Sequence, residues 1–397
     1  MIKTIQDNKH AVQVRLTKVQ QRIELSNVRR FHQDVLPGYR KTDLTKLALT
    51  SQDLGQSVTR FKGSVYVKDE SDRYGLPAFK VLGAAYASFV AMCEAWQLDP
   101  HTATVQELRH HAQSIAPTPL LVAATDGNHG RAVAFFSNLV GLGARIYIPS
   151  GVSLIAETAI SAEGPNVDMI RLLEDYDECV RQAAAFAAAG DPTQGQQRLL
   201  IQDTAWQGYT HIPQLIVDGY QTIFREVDEE LASRNGQQAT HVFCPVGVGS
   251  LADAAVQHYT AVRDEATSLP AGMATSVIAV EPAGSACLSK SIAKGRLTSV
   301  QTRHTIMAGL NCGTPSYTAW PNLQAGIQAV VTIEDERALD AVQRLHTSGI
   351  AAGPCGGAPL AALQTLFSNP VEAERLGLLD DERVVVVLLM TEGGKSS

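Results

Sequence analysis

From Leu120 onward the chain repeats one pattern: a short apolar run, a turn, a helical stretch, then another apolar run. Residues 119–124 read as a buried strand and 131–139 as the helix after it. Residues 144–149 and 154–163 repeat the pair, and 167–172, 176–189 and 198–201 continue it. Strands separated by helical stretches of about 10–15 residues build βαβ units around a parallel sheet. A second series runs through a helix at 215–234, a strand at 240–244, a helix at 251–263 and a strand at 277–280. Residues 384–390 are almost continuously apolar, as a parallel strand covered on both faces must be. The expected fold is therefore α/β, doubly wound, with two sheets. The polar stretch 190–197 is a candidate domain junction, and 1–40, with a turn at Pro37-Gly38, reads as an arm or lid.

Composition narrows the function classes. The 397 residues are enough for one large or two medium domains, and 45% apolar with 18% charged residues is ordinary for a globular chain. A net charge of -7 leaves no basic footprint for nucleic acid. Residues 1–20 contain no apolar signal core, and no apolar run approaches the roughly 18 residues of a membrane span. The six cysteines (93, 179, 244, 287, 312 and 355) include no C-x-x-C, so neither a zinc site nor a disulfide scaffold is expected. A cytoplasmic protein acting on a small molecule, without nucleic acid, membrane or metal, is the expectation.

Ligands of open α/β sheets bind beyond the carboxyl ends of the strands, and the unusual residues fall there. The strand at 64–67 leads through a charged turn to Lys80, placed one residue before an Ala-rich helix at 81–95. The positive end of a helix disfavours a cation, so Lys80 is either a solvated first-turn lysine or an amine readily made neutral and nucleophilic. After the strand ending at Ala124 comes Thr125-Asp126-Gly127-Asn128-His129-Gly130. Its amides can hold an anion, although Asp126 or Asn128 also suits a simple N-cap, and His129 reads as a structural histidine.

After Cys244 comes Pro245-Val246-Gly247-Val248-Gly249-Ser250, a candidate phosphate cradle or a plain tight turn. It also fits the loose dinucleotide pattern, but the acid that pattern needs about 20 residues on is Glu281, 32 residues beyond Gly249. Gln202-Asp203-Thr204-Ala205-Trp206-Gln207-Gly208-Tyr209 offers a carboxylate and two aromatics for a cationic group, or a cap and core packing. Thr391 ends the last strand. An amine, a phosphate cradle and polar partners for a ring together meet the needs of pyridoxal 5'-phosphate.

On these motifs the sequence resembles the fold-type II pyridoxal phosphate enzymes, the tryptophan synthase β and threonine dehydratase group. Within that group it most resembles the diaminopropionate ammonia-lyases. The matching segments are 67–84 around Lys80, 125–131 (TDGNHGR), 202–209 (QDTAWQGY), 217–220, 305–313 (TIMAGLNCG) and 391–393 (TEG). The resemblance implies two doubly wound parallel sheets with the site between domains, the large one discontinuous at 1–88 and 195–397 and the small one at 89–194. It also implies a homodimer.

By the same resemblance Lys80 is the lysine that binds the cofactor aldehyde, and Gly247, Val248, Gly249 and Ser250 form the phosphate loop. Asn128 faces the 3' oxygen and Thr391 the ring nitrogen. Asp126 and Asp203 occupy the two acidic positions of the diaminopropionate enzymes, with Thr125 and Gly127 beside the substrate. The implied reaction is αβ-elimination of 2,3-diaminopropionate, of one or both enantiomers, to pyruvate and ammonia. Lys80, Asp126 and Asp203 are its catalytic groups, with Lys80 and Asp126 as bases on opposite faces. The alternative is a serine/threonine-type dehydratase, or another β-eliminating lyase of the same fold acting on a different β-substituted amino acid; Asp126 disfavours the former, because the dehydratases carry a small or hydroxyl residue there. A nicotinamide oxidoreductase and a degenerate cofactor-binding protein fit less well. The chain departs from the family at Asp253, at Gly353-Pro354-Cys355-Gly356-Gly357 and at Pro359. Cys287 and Cys312 lie in family-like segments, as free thiols or as a pair.

Overall fold

The fold was analysed in a computed structural model that describes residues 5–7, 26–57, 59–190, 195–234, 236–262 and 275–394. Most of the expected arm at 1–40 and the centre of the 190–197 junction lie outside the described residues. The chain divides into two compact units. One comprises Met1–Lys18, Arg40–Phe79 and Gln221–Ser397, and the other Val19–Tyr39 and Lys80–Tyr220. No described helix is long and apolar enough to cross a membrane.

The first unit is built on a seven-stranded sheet. Its strands are β1 (Ile5–Asp7), β2 (Leu44–Lys46), β3 (Ser64–Asp69), β8 (His241–Pro245), β9 (Ser276–Pro282), β10 (Ile327–Ile333) and β11 (Val385–Met390), in the order β1-β10-β9-β8-β11-β3-β2. The five central strands pair in parallel, and the short edge strands β1 and β2 pair antiparallel. Every residue of β8 and of β11 is buried, which explains their unbroken apolar runs. The helix Pro354–Phe367 packs on β8, β9, β10 and β11, and places Leu360, Leu363 and Phe367 in a core with Phe243, Ile278, Val386 and Leu388. Full burial of each such side chain contributes about 1.5–3 kcal/mol before the entropy of ordering is counted. Pro359 lies inside that helix, where it removes the amide that would bond Cys355.

The second unit carries a four-stranded parallel sheet, β4 (Leu120–Ala124), β5 (Gly143–Ile148), β6 (Val167–Arg171) and β7 (Arg198–Leu200), in the order β6-β5-β4-β7. The helices that matter for the site are α1 (Lys80–Ala95), α2 (Asn128–Val140), α3 (Tyr176–Ala189), α4 (His211–Ser233) and, in the first unit, α5 (Ser250–Val262). α4 runs across the division, its last part belonging to the first unit. Helix α1 begins at Lys80 itself, so the lysine lies in the first turn and not before it. Strands β1, β2 and β10 and the helices Val105–Ser114, Asp335–Thr347 and Pro354–Phe367 lie outside the elements read from the sequence.

A buried ion network ties β3 to the segment that leads into Lys80. Lys68 Nζ lies 2.7 Å from Glu226 Oε2 and donates to Thr42 O at 2.8 Å. The Arg73 guanidinium forks onto Glu226 at 2.8 Å on both oxygens, and onto Glu70 at 2.6 and 2.8 Å. All four charged side chains are at most 1% exposed, so each depends on its partners for the solvation it has given up.

Candidate active site

In the second unit the carboxyl ends of β4 and β7 lie side by side, because these strands are neighbours in the sheet. The side-chain oxygen of Gln202 accepts from the amide of Ala124 at 2.9 Å, which joins the two strand ends. Beyond β4, Thr125 Oγ1 accepts from the amides of Gly127 and Gly130, both at 2.9 Å. Gly127 has φ +149°, and a Cβ on Gly130 would come within 2.4 Å of Thr125. The two glycines are thus required by backbone conformation and by close approach, and between them they present Asn128 and His129 at the start of α2. Asp126 is half-buried on the same turn. Burial pushes the Cys179 thiol of α3 up to about 12, and the nearby charge of Asp126 adds to the effect.

Asp203 follows β7. Its Oδ2 accepts from Lys80 Nζ at 2.5 Å, and Tyr176 Oη reaches its Oδ1 at 3.5 Å. Burial opposes ionisation of Asp203, but the charge and hydrogen bond of the Lys80 ammonium outweigh it and hold the carboxyl at about 2. His129 Nε2 lies 2.8 Å from Ile201 O, and its Nδ1 is 3.9 Å from Asp203 Oδ2. Burial lowers the basicity of this imidazole, against the pull of Asp203, so the ring is neutral near pH 7.

The two aromatics of the Gln202–Tyr209 stretch serve as support. Trp206 and Tyr209 stack at 4.4 Å, and the Tyr209 hydroxyl donates to Leu200 O at 2.7 Å and accepts from the Gln202 amide at 2.9 Å. The carboxylate is the group this stretch offers a cation. Tyr176 was not singled out by the sequence. It sits at the start of α3, 27 residues before Asp203, and only the packing of α3 against the sheet brings it there.

In the first unit the other candidate residues gather at the ends of β8 and β11, again neighbours in their sheet. Gly247, Val248 and Gly249 lie between β8 and α5, and among the described residues their amides have no acceptor. Gly249 has φ +99°, and a Cβ there would meet Leu323 Cδ1 at 2.6 Å. A Cβ on Gly247 would meet Gly309 O at 3.0 Å and Cys312 Sγ at 3.1 Å. Three such amides immediately before a thirteen-residue helix, with Ser250 buried in its first turn, are groups that can cradle an anion. The Thr391 hydroxyl at the end of β11 is buried and without a partner among the described residues, and Thr391 O accepts from the amide of Phe79, the residue before Lys80.

Taken unit by unit, these groups are of the kinds pyridoxal phosphate uses: an amine at Lys80 in the second unit, and in the first a run of open amides suited to a phosphate and a buried hydroxyl without a partner among the described residues. They do not fit a dinucleotide. Glu281 is fully buried, and its carboxylate accepts from the amides of Leu288 at 2.7 Å and Ser289 at 2.8 Å, so it caps the helix Cys287–Lys294 and is not available to a ribose. Asp253, one of the departures from the family, sits fully buried in the first turn of α5. It accepts from Gln257 at 2.9 Å and from Asn322 at 2.8 Å. All six cysteines, Cys287 and Cys312 included, are buried, and no group of metal-binding side chains occurs among the described residues.

Comparison with known proteins agrees with this chemistry. The family model described as pyridoxal-phosphate dependent enzyme matches residues 35–390. A diaminopropionate ammonia-lyase of Salmonella typhimurium strain LT2 is 35% identical over 379 residues, covering 92% of this chain and 88% of its own. Among solved structures, holo diaminopropionate ammonia lyase from Escherichia coli matches with a TM-score of 0.83 at 30% identity, over 98% of this chain and 93% of that one. The Escherichia coli enzyme in complex with an aminoacrylate-PLP azomethine reaction intermediate matches with a TM-score of 0.81, at the same identity and coverage.

Proposed function

Because the chain belongs to the pyridoxal-phosphate dependent enzymes, we propose that it removes ammonia from 2,3-diaminopropionate by αβ-elimination, yielding pyruvate and ammonia. The observation that carries this reading is the Asp203 carboxylate. It is buried, ionised and 2.5 Å from an ammonium, beside a strand end that holds a second acid, Asp126. Two carboxylates at adjacent strand ends suit a substrate with a second amino group better than one with a hydroxyl.

When bound, the cofactor supplies an electron sink that allows an amino acid to lose its Cα hydrogen as a proton. Lys80 would hold the cofactor, the amides of Gly247, Val248 and Gly249 with Ser250 its phosphate, Asn128 its 3' oxygen and Thr391 its ring nitrogen. A threonine hydroxyl at the ring nitrogen does not keep it protonated as a carboxylate would, which favours loss of the β-group over transamination. Lys80 and Asp126 would act as bases at Cα for the two enantiomers. Asp203 would keep the β-amino group protonated, as a leaving group must be, with Thr125 and Gly127 lining the substrate. The assembly proposed is a cytoplasmic homodimer, as the family resemblance implies.

The test is ammonia release from each enantiomer of 2,3-diaminopropionate, compared with serine and threonine. Preference for the hydroxy amino acids would replace this reading by that of a dehydratase. Lys80→Ala should abolish turnover together with the visible absorbance of the bound cofactor. Retention of both would exclude Lys80 as the cofactor lysine.

A further inference from the structure

His129 is 4% exposed and occupies the second position of α2. A carbonyl oxygen only accepts, so the 2.8 Å contact with Ile201 O places the ring hydrogen on Nε2 and leaves the lone pair on Nδ1. That Nδ1 is buried and has no hydrogen-bond partner among the described residues. A histidine that served packing alone would have both nitrogens satisfied, as buried polar groups generally do. Here the lone pair lies 3.9 Å from Asp203 Oδ2. Two acceptors facing each other repel unless a donor stands with them, and a cation with several hydrogens is the natural complement. Asp203 Oδ2 already receives one such group, the ammonium of Lys80. With Lys80 given over to the cofactor, the open acceptor of His129 and the neighbouring carboxylate suit another cation.

We infer that His129 Nδ1 and the Asp203 carboxylate together receive the β-ammonium group of the substrate, and that His129 thereby selects an amine over a hydroxyl as the leaving group. The inference rests on the diaminopropionate reading above. In the elimination Lys80 or Asp126 takes the Cα proton, and the electrons of the Cα–H bond form the Cα=Cβ bond. Those of the Cβ–N bond leave with nitrogen, and the ammonium departs as ammonia with its three hydrogens. A strong base at this point would strip a proton first and leave a far poorer leaving group. A buried, neutral imidazole of lowered basicity accepts the hydrogen bond without taking the proton. A hydroxyl has one hydrogen, which Asp203 would take, leaving Nδ1 buried and unpaired. An ammonium has enough for both acceptors.

The test compares kcat/KM for 2,3-diaminopropionate with that for β-chloroalanine, whose leaving group carries no hydrogen, in His129→Gln and His129→Asn. Glutamine can keep the donor toward Ile201 O but offers nothing at Nδ1, whereas asparagine restores an acceptor near Nδ1. In His129→Gln the diaminopropionate value should fall about 10- to 100-fold while that for β-chloroalanine changes little, with cofactor absorbance intact. His129→Asn should recover most of the loss. The ratio of the two values does not depend on the folded fraction of either variant. An equal fall for both substrates, or no fall for either, would overturn the role of His129 while leaving the proposed activity standing. Absence of diaminopropionate turnover in the unaltered enzyme would overturn the activity and this role with it.

Discussion

Asp126 and Asp203 are chemically the same residue in two different electrostatic settings. Asp203 is buried beside a lysine ammonium and held at about 2, so it stays charged and can bind a cation without easily accepting a proton. Asp126 is half-buried on a turn opened by two obligate glycines. Its proposed role as a base toward one enantiomer gives a residue-scale prediction. Asp126→Ala should raise the barrier for one enantiomer of 2,3-diaminopropionate by on the order of 2–4 kcal/mol and affect the other much less. Separate steady-state assays on the two enantiomers would check this, and equal losses on both would refute the assignment of opposite faces.

At the scale of elements, the position of Lys80 depends on how α1 packs one turn further along. A Cβ on Gly83 would come within 2.6 Å of Tyr220 Cε1 and 2.7 Å of Ile216 O, and one on Gly219 within 2.5 Å of Leu82 O. Helices α1 and α4 therefore touch backbone to backbone, with a glycine contributed by each. Gly83→Ala should force them apart, destabilise the protein by about 1–3 kcal/mol and lower kcat by shifting the start of α1. Denaturant unfolding alongside a steady-state assay would measure both effects, and wild-type stability in this variant would show that the contact is not tight. The 247–250 loop follows the same logic: Gly249 combines a positive φ with a contact to Leu323, so its glycine is dictated by conformation and space together.

Across the whole molecule, charge is buried in two ways. The Lys68–Glu226–Arg73–Glu70 network is balanced, two cations against two anions, and burial of Glu226 is outweighed by Arg73 and Lys68, which hold it at about 2. Among the described residues no cation faces Asp253 or Glu281, and burial raises each to about 7. An acid whose pKa is higher folded than unfolded binds protons more tightly in the native state. Its effect on stability is therefore most favourable at low pH and is lost progressively as pH rises from about 4 to about 7. Asp253→Asn removes that loss while keeping an acceptor for Gln257 and Asn322. Relative to the unaltered chain, the variant should gain on the order of 2 kcal/mol between pH 5 and pH 8. Glu281 is present in both proteins and cancels from the difference. Urea unfolding at the two pH values reads it directly, and a difference that does not change with pH would mean Asp253 is ionised throughout.

Strand and helix alternation was legible because buried parallel strands must be apolar on both faces, so 120–124, 143–148 and 385–390 stand out against any background. The edge strands β1 and β2 were not legible: three residues each and paired antiparallel, they stand outside the strand–helix alternation that marked the equally short β7. Lys80, Asp126, Asn128, Asp203, the 247–250 loop and Thr391 could be named as candidates because each follows a strand end or opens a helix, where the fold class itself directs attention. What tertiary structure alone decided was the state of those groups. The tautomer of His129 follows from a carbonyl 72 residues away, the ionisation of Asp203 from a lysine 123 residues away, and the lack of a partner for the Thr391 hydroxyl among the described residues from what surrounds the end of β11. Sequence determines which chemical groups the chain possesses and which elements carry them. Burial and pairing across such separations, which only the folded chain brings about, determine which of those groups hold a proton, a charge or an open hydrogen bond.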